Sequence, residues 1–167
     1  MTEVIRAVEE AHFPAIDTIV HAAFGSETEA RLVRRLRADG DMQLEHVAVL
    51  HGQVMGHIAF SRLAVVCANK SLNAVALAPL SVSPEYQRSG IGSRLVTHAH
   101  QTLSASGVAL SVVLGHPEYY PRFGYSHIHA GQLQAPYAGP SFMAAELQAG
   151  CLEGLLWSAT YAKAFSA

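Results

Sequence analysis

The sequence predicts a mixed α/β sandwich built as a single domain over residues 1–167, and three observations carry that reading. Strand-like and helical runs alternate only in part, which separates it from a doubly wound sheet. The runs Asn73–Val82 and Val108–Leu114 are apolar on both faces, as strands covered from two sides are. A helical stripe lies between them. Asn73–Leu114 therefore reads as strand, helix, strand, and parallel strands joined by a right-handed crossover are expected.

Taken in order, Val4–Val8 is a short β-prone run, and Glu9–Phe24 carries Phe13, Ile16, Ile19, Val20 and Phe24 at helical spacing. Ser26 and Glu29 have the spacing of a capping box, which would restart a helix with Leu32, Val33 and Leu36 on its apolar face. Arg31, Arg34, Arg35 and Arg37 mark its polar face, and Gly40 ends it. Glu45–Leu50 and Gln53–Ser61 read as a hairpin turning at His51-Gly52. After Asn73–Val82 and a turn at Pro84, Gly92–Leu103 reads as a helix with Leu95, Val96, Ala99 and Leu103 inward, closed by Gly107. Val108–Leu114 follows, then a short helix or turn at Pro117–Phe123. Tyr125–Ala130 and Leu155–Tyr161 are the last strand candidates, with a helical turn expected at Met143–Gln148. The expected order is β-α-α-β-β-β-α-β-α-β-β.

Composition narrows the function. Only 14% of residues are charged, against about 25% in an average soluble domain, and half are apolar, so disorder is excluded as the main state. A net charge of −2, with two lysines and scattered arginines, is not the basic footprint of a nucleic-acid binder. No apolar run approaches the roughly 18 residues of a membrane span, and Met1–Arg6 lacks the basic end and apolar core of a signal peptide. Cys67 and Cys151 stand in no metal-like spacing, so a reduced, cytoplasmic protein is expected. The mean hydropathy of +0.21 leaves apolar surface for a self-association face or a wide ligand cleft; a homodimer is the base-rate expectation. Ten histidines invite a metal reading. His98 and His100, two apart on a helix, face different ways, and His127 and His129 would share a strand face without a third ligand, so no metal is expected.

The chemistry concentrates in Ser81-Val82-Ser83-Pro84-Glu85-Tyr86-Gln87-Arg88-Ser89-Gly90-Ile91-Gly92-Ser93-Arg94, which runs from a buried strand into a helix. Gly90 and Gly92 remove side chains where a ligand would approach the backbone. The N–H groups from Gln87 to Gly92 would point into the turn, and the helix dipole adds positive charge, which together suit a pyrophosphate without lysines. The same glycines would also serve a purely steric connection. A nucleoside-triphosphate loop is excluded because no Gly-x-x-x-x-Gly-Lys-Ser/Thr string occurs, and a dinucleotide fingerprint because Leu95 stands at its third glycine position.

Val82-x-Pro84-x-Tyr86-Gln87-Arg88-x-Gly90-Ile91-Gly92 resembles the acetyl-CoA motif of the GNAT superfamily of N-acetyltransferases, Gln/Arg-x-x-Gly-x-Gly/Ala after a strand carrying Val-x-Pro. Leu114-Gly115-His116-Pro117-Glu118-Tyr119-Tyr120-Pro121-Arg122-Phe123-Gly124-Tyr125 looks like the Tyr-x-x-x-Gly-Phe segment after the family's fifth strand. The double tyrosine, Gly56-His57 and the Phe142-Met143…Glu146-Leu147 string are similar to one bacterial branch of predicted N-acetyltransferases. The resemblance covers nearly the whole chain. It implies a mixed, mostly antiparallel seven-stranded sheet with a V-shaped gap between strands 4 and 5. It implies that the main chain of Leu80, Ser81 and Val82 pairs with pantetheine. The turn amides of Gln87, Arg88, Ser89, Gly90, Ile91, Gly92 and Ser93 would hold the pyrophosphate of acetyl-CoA. Tyr120, four residues before Gly124, falls at the position of the family's proton-donating tyrosine, with Tyr119 beside it as a packing residue. The Asn that many members carry about seven residues before that tyrosine is absent, the segment here being Val113-Leu114-Gly115-His116.

The implied activity is transfer of an acetyl group to a primary amine of a small molecule or peptide in a ternary complex; the alternative is a non-catalytic acyl-CoA-binding module. An amine of pKa near 10.4 is neutral at pH 7 only at a cost of about 4–5 kcal/mol, so a base or a water chain must help. No Glu or Asp lies on Asn73–Val82, which leaves Glu29, His57, on a strand where alternate positions His57, Ala59 and Ser61 share a face, and His116. The acceptor pocket implied by the family layout involves Ala23–Arg35 and Ala130–Gly154, whose mostly apolar make-up disfavours a polyamine.

Overall fold

A computed structural model of the chain describes residues 3–166. It contains one eight-stranded sheet: β1 (Val4–Ala7), β2 (Met42–Leu50), β3 (Gln53–Cys67), β4 (Lys70–Val82), β5 (Leu110–Leu114), β6 (Leu133–Gln134), β7 (Phe142–Glu146) and β8 (Trp157–Tyr161). The helices are α1 (Phe13–Phe24), α2 (Thr28–Ala38), α3 (Ile91–Ala105) and the short α4 (His127–Ala130). The main path runs β1-β2-β3-β4-β5-β7, antiparallel except for the parallel pair β4–β5. β3 is long enough, at 15 residues, to pair β2 along its first half and β8 along its second. The eighth strand, beyond the seven the resemblance implies, is the two-residue β6 beside β8. No helix among the described residues is long and apolar enough to cross a membrane.

Two apolar layers hold the sheet. Ile91, Leu95, Val96, Ala99 and Leu103 of α3 pack on Ala48, Ile58, Phe60, Val75 and Leu77. Each buried aliphatic side chain of this kind contributes roughly 1.5–3 kcal/mol. On the other face Ile16, Ile19 and Val20 of α1 meet Ala30 and Val47. A further cluster around Trp157, Phe142 and Leu110 fills the far end.

Three local expectations are overturned. Tyr125–Ala130 is not a strand: only Ser126 bridges Ala144, and its hydroxyl then caps α4 by accepting the N–H of Ile128 at 3.1 Å. His127 and His129 therefore sit on one helical turn and share no strand face. Met143–Gln148 is not a helical turn either. Phe142 to Ala145 are all buried in β7, where pairing with β5 overrides the helical preference of an alanine pair. Ser26 does not close a capping box. α2 starts one residue later, on Glu27, and the Ser26 hydroxyl donates to Glu29 at 3.2 Å while accepting the Thr28 N–H at 3.4 Å.

Candidate active site

The site is built where β4 leaves β5. Phe60 pairs Leu77 and Ile58 pairs Leu80, so Ala59 faces two residues, Ala78 and Pro79, in a β-bulge. Pro79 has no N–H to donate to a ladder. The parallel register runs from Ala74–Leu110 to Leu77–Val113 and ends there, while β4 stays on β3 as far as Val82. The strands thus part at the bulge, and the gap implied between strands 4 and 5 is present.

Ladder alternation fixes what faces that gap. Ser83 donates to the Met55 carbonyl at 2.8 Å, so Ser81 and Ser83 turn their main-chain groups toward β3. Leu80 and Val82 turn theirs the other way. The Val82 carbonyl is taken by the Gln87 side-chain amide at 3.1 Å, which leaves the N–H groups of Leu80 and Val82 facing the gap. The Ser81 side chain is buried, with its hydroxyl unpartnered among the described residues.

The turn after β4 is a 3-10 helix at Pro84–Tyr86, pinned by the Ser89 hydroxyl donating to the Tyr86 carbonyl. Arg88 and Gly90 both take positive φ, 63° and 91°. Such angles point successive N–H groups inward as a nest. Among the described residues no acceptor takes the N–H groups from Gln87 to Ser93, and the first paired one is Arg94, on the Gly90 carbonyl at 3.0 Å. Seven consecutive free amides at the start of a 15-residue helix suit an anion.

A cleft of about 730 Å³ joins the gap to this turn, with Leu80, Val82, Gln87, Arg88, Gly90, Gly92 and Ser93 on one side. Ser89 and Ile91 are not among its lining residues, and the Ile91 side chain is buried in the core. The opposite wall is His116, Tyr119, Tyr120 and Arg122. Tyr119 is more than a packing residue. Its hydroxyl lies 3.2 Å from the Ser93 hydroxyl and 3.0 Å from where a Cβ on Gly92 would stand, so Gly92 makes room for Tyr119. Arg122 lies 4.6 Å over the Tyr119 ring and donates to the Tyr119 carbonyl at 2.8 Å. Arg122 and Tyr119 were not legible as wall residues; the Tyr-Tyr-Pro-Arg-Phe-Gly string was their only signal.

A second cavity, of about 310 Å³, opens on the α2 side of the same gap. Phe24, Glu29 and Leu32 bound it, with Leu77 to Leu80 and Val113 to His116. Leu80, His116 and Tyr120 line both spaces. Tyr120 is 9% exposed, packs edge-on to Tyr119 and Tyr125, and has no hydrogen-bond partner for its hydroxyl among the described residues. Burial pushes its phenol up to about 12. Gly115 lets the ring in: a Cβ there would stand 2.4 Å from it.

Of the three base candidates, Glu29 and His116 line the second cavity, and His57 lines neither. His57 is completely buried beneath the sheet's α1 face, where its Nε2 meets Glu45 Oε1 at 2.7 Å. Arg37 donates to the same carboxylate. Burial lowers the affinity of His57 for a proton despite Glu45. Burial works to raise the Glu45 carboxyl, but the hydrogen bonds from His57 and Arg37 outweigh it and hold it below the usual carboxylate range.

Residues 4–128 match the family model of the GNAT acetyltransferase domain. The uncharacterized N-acetyltransferase YhbS of Escherichia coli strain K12 is 34% identical over 156 residues, 92% of each chain. YjhQ of the same strain, also an uncharacterized N-acetyltransferase, is 38% identical over 121 residues, 71% of this chain and 67% of its own. Among solved structures, the E. coli YhbS complex with CoA superposes with a TM-score of 0.91 at 32% identity, covering 100% of this chain and 93% of that one. A GNAT acetyltransferase from Brucella melitensis in complex with acetyl-CoA superposes at 0.79 with 29% identity, covering 98% and 97%.

Proposed function

The chain belongs to the GNAT acetyltransferases, acetyl-CoA-dependent acyltransferases, and on that premise we propose that it acetylates a primary amine by direct attack in a ternary complex. One observation carries the reading: two cavities on opposite sides of the strand gap share Leu80, His116 and Tyr120. The first suits the cofactor, with the free amides from Gln87 to Ser93 on its pyrophosphate and the main-chain N–H groups of Leu80 and Val82 along its pantetheine arm, while the main chain of Ser81 is turned to β3 and not to the cofactor. Arg88 and Arg122 add positive charge at that end. The second suits the amine, which meets the thioester between them.

The amine nitrogen bonds the acyl carbon, the carbon–sulfur bond breaks, the thiolate takes one proton and the nitrogen gives up one. The N–H of Leu80 or Val82 faces the gap and would stabilise the developing oxyanion. Tyr120, protonated throughout the neutral range, would give its proton to the leaving thiolate. Against a thiol of ordinary pKa near 8.5, a phenol at about 12 makes that step about 4–5 kcal/mol uphill. Desolvation in the same gap raises the thiol as well, which narrows the difference. Glu29 or His116 would relay the amine proton, and the sealed position of His57 removes it from direct contact.

The test is calorimetric titration with acetyl-CoA of the parent and of Gly90→Glu. The parent should bind. The variant should lose about 100-fold or more, because a carboxylate then faces the pyrophosphate. Gly90→Ala, with the strain of its positive φ and a Cβ 2.7 Å from the movable Arg94 guanidinium but no added charge, should bind more weakly than the parent and better than Gly90→Glu. An amine screen by thiol release follows. Absence of binding in the parent would remove the reading, and binding without thiol release from any amine would mark a cofactor-binding module.

A further inference from the structure

We infer that the amine acceptor carries an anionic group, seated on Arg31 and Arg35 of α2, an inference that rests on the acetyltransferase reading above. The four arginines of α2 divide by partner. Arg34 is held by Asp17 at 2.8 Å and Glu27 at 3.2 Å, and Arg37 is held by Glu45 under the sheet. Arg35 gives only its Nε to Asp39, at 3.1 and 3.2 Å, so its two terminal nitrogens have no partner among the described residues. Arg31 has no side-chain hydrogen bond or ion pair among them at all.

These two guanidinium groups flank a groove of about 320 Å³ between α2 and the C-terminal 3-10 helix Lys163–Ser166, floored by Leu32, Ala164 and Phe165. Thr28, Arg31, Leu32 and Arg35 fall at i, i+3, i+4 and i+7, one face of the helix. Leu32 is also a wall of the amine cavity, so the groove and that cavity adjoin at this one side chain. Along this line the charge changes sign. Glu29 stands in the amine cavity and is suited to an ammonium, and Arg31 and Arg35 stand beyond Leu32. Six residues of helix separate Glu29 from Arg35, roughly 9 Å along the axis and about 120° around it, with Leu32 between them. An occupant with an amine at one end, an apolar stem over Leu32 and an anion at the other end matches that order. Planar guanidinium forks favour a carboxylate or a phosphate, and the cleft proposed for the cofactor, with Arg88 and Arg122, lies across the gap.

The experiment is a thiol-release panel of linear ω-amino carboxylates of increasing length, their carboxamides, and ω-aminoalkyl phosphates. The expected result is a kcat/KM about 10-fold or more higher for the anionic members than for carboxamides of equal length. The better of the carboxylate and phosphate series identifies the anion. In Arg31→Gln and Arg35→Gln that ratio should fall several-fold, through KM, and in the double variant it should approach one. Arg34→Gln, outside the groove and held by Asp17 and Glu27, should keep the ratio. Carboxamides turned over as well as the acids in the parent would overturn the inference and leave acetyl transfer standing. A ratio unchanged by the double variant would overturn the seat on α2. No thiol release from any amine would overturn the inference together with the reading it rests on.

Discussion

Tyr120 concentrates the residue-scale chemistry. A tyrosine this buried ordinarily finds a hydrogen-bond partner for its hydroxyl, and Tyr125 does, on Ser111 at 2.8 Å. Tyr120 keeps none among the described residues and opens onto both cavities, which is the position of a group that meets its partner only when substrates are bound. Removing the hydroxyl should therefore cost activity rather than stability. Tyr120→Phe is expected to bind acetyl-CoA like the parent, to melt within about 1 °C of it, and to lose about 10²–10³ in kcat. With its phenol at about 12, the parent's kcat should show no alkaline fall up to pH 10. A Phe variant with full kcat would reassign Tyr120 to packing. Of the site, the turn was legible because its signal is local: two glycines at fixed spacing on a strand-to-helix junction. Glu29 was legible as a capping residue and as one of three base candidates, but nothing in the local sequence says that the end of α1 and the start of α2 face the strand gap. Tyr119 and Arg122 were missed as wall residues for a similar reason, since the space they line exists only once Gly92 and the β4–β5 split are in place.

At the scale of elements, the site depends on how closely α3 lies on the sheet. Gly56 of β3 has no side chain, and a Cβ there would stand 2.9 Å from Ile91 Cγ2 and 2.9 Å from Leu95 Cδ1. Ile91 opens α3, with Leu95 one turn on, and the free amides run from Gln87 through Ile91 to Ser93. Gly56→Ala would push the first turn of the helix outward and the amide nest with it. The expected outcome is a loss of about 1–3 kcal/mol in denaturant unfolding, together with weaker acetyl-CoA binding by calorimetry. A variant as stable as the parent with unchanged affinity would mean that the helix accommodates the methyl without moving. α3 and the β2–β3 hairpin were legible from periodicity because each presents one apolar face over several turns or residues. α4 and β7 were not. His127–Ala130 alternates in polarity like a strand but is capped by Ser126, and Phe142–Glu146 contains an alanine pair that only its pairing with β5 makes extended. The hairpin beyond Ser61 was also unread: Arg62 interrupts an apolar run that resumes at Leu63–Cys67, and β4 begins at Lys70, ahead of the apolar stretch after Asn73.

For the whole molecule, the consequence of these packing choices is sensitivity to acid. Three histidines are placed so that burial disfavours their charged form. His46 packs edge-on to His98, with ring centroids 5.1 Å apart, and His57 is sealed beside Glu45. His100 bonds Tyr125 at 2.9 Å between α3 and β5, and its burial lowers it to about 4. In the unfolded chain each titrates near 6.5. As pH falls through that value the unfolded chain takes up protons that the folded chain refuses, so stability falls with pH. Each histidine contributes a slope of up to about 1.4 kcal/mol per pH unit until its folded pKa is reached. For His100 that window runs from about 6.5 to about 4. Glu45 acts in the same sense at lower pH. Held below the usual carboxylate range, it adds stability that is full above an unfolded value near 4.5 and is lost as the pH falls through its folded one. The melting temperature should therefore be level above pH 7 and drop steadily between pH 6.5 and 5, at roughly 2–4 °C for each kcal/mol in a chain of this size. His100→Gln should lower the melting temperature at pH 7 and flatten its decline toward pH 5, because one of the three protons is then no longer exchanged. A melting temperature unchanged between pH 7 and 5 would mean that these histidines accept protons in the folded protein, and that the layers around them open to water far more readily than their packing implies.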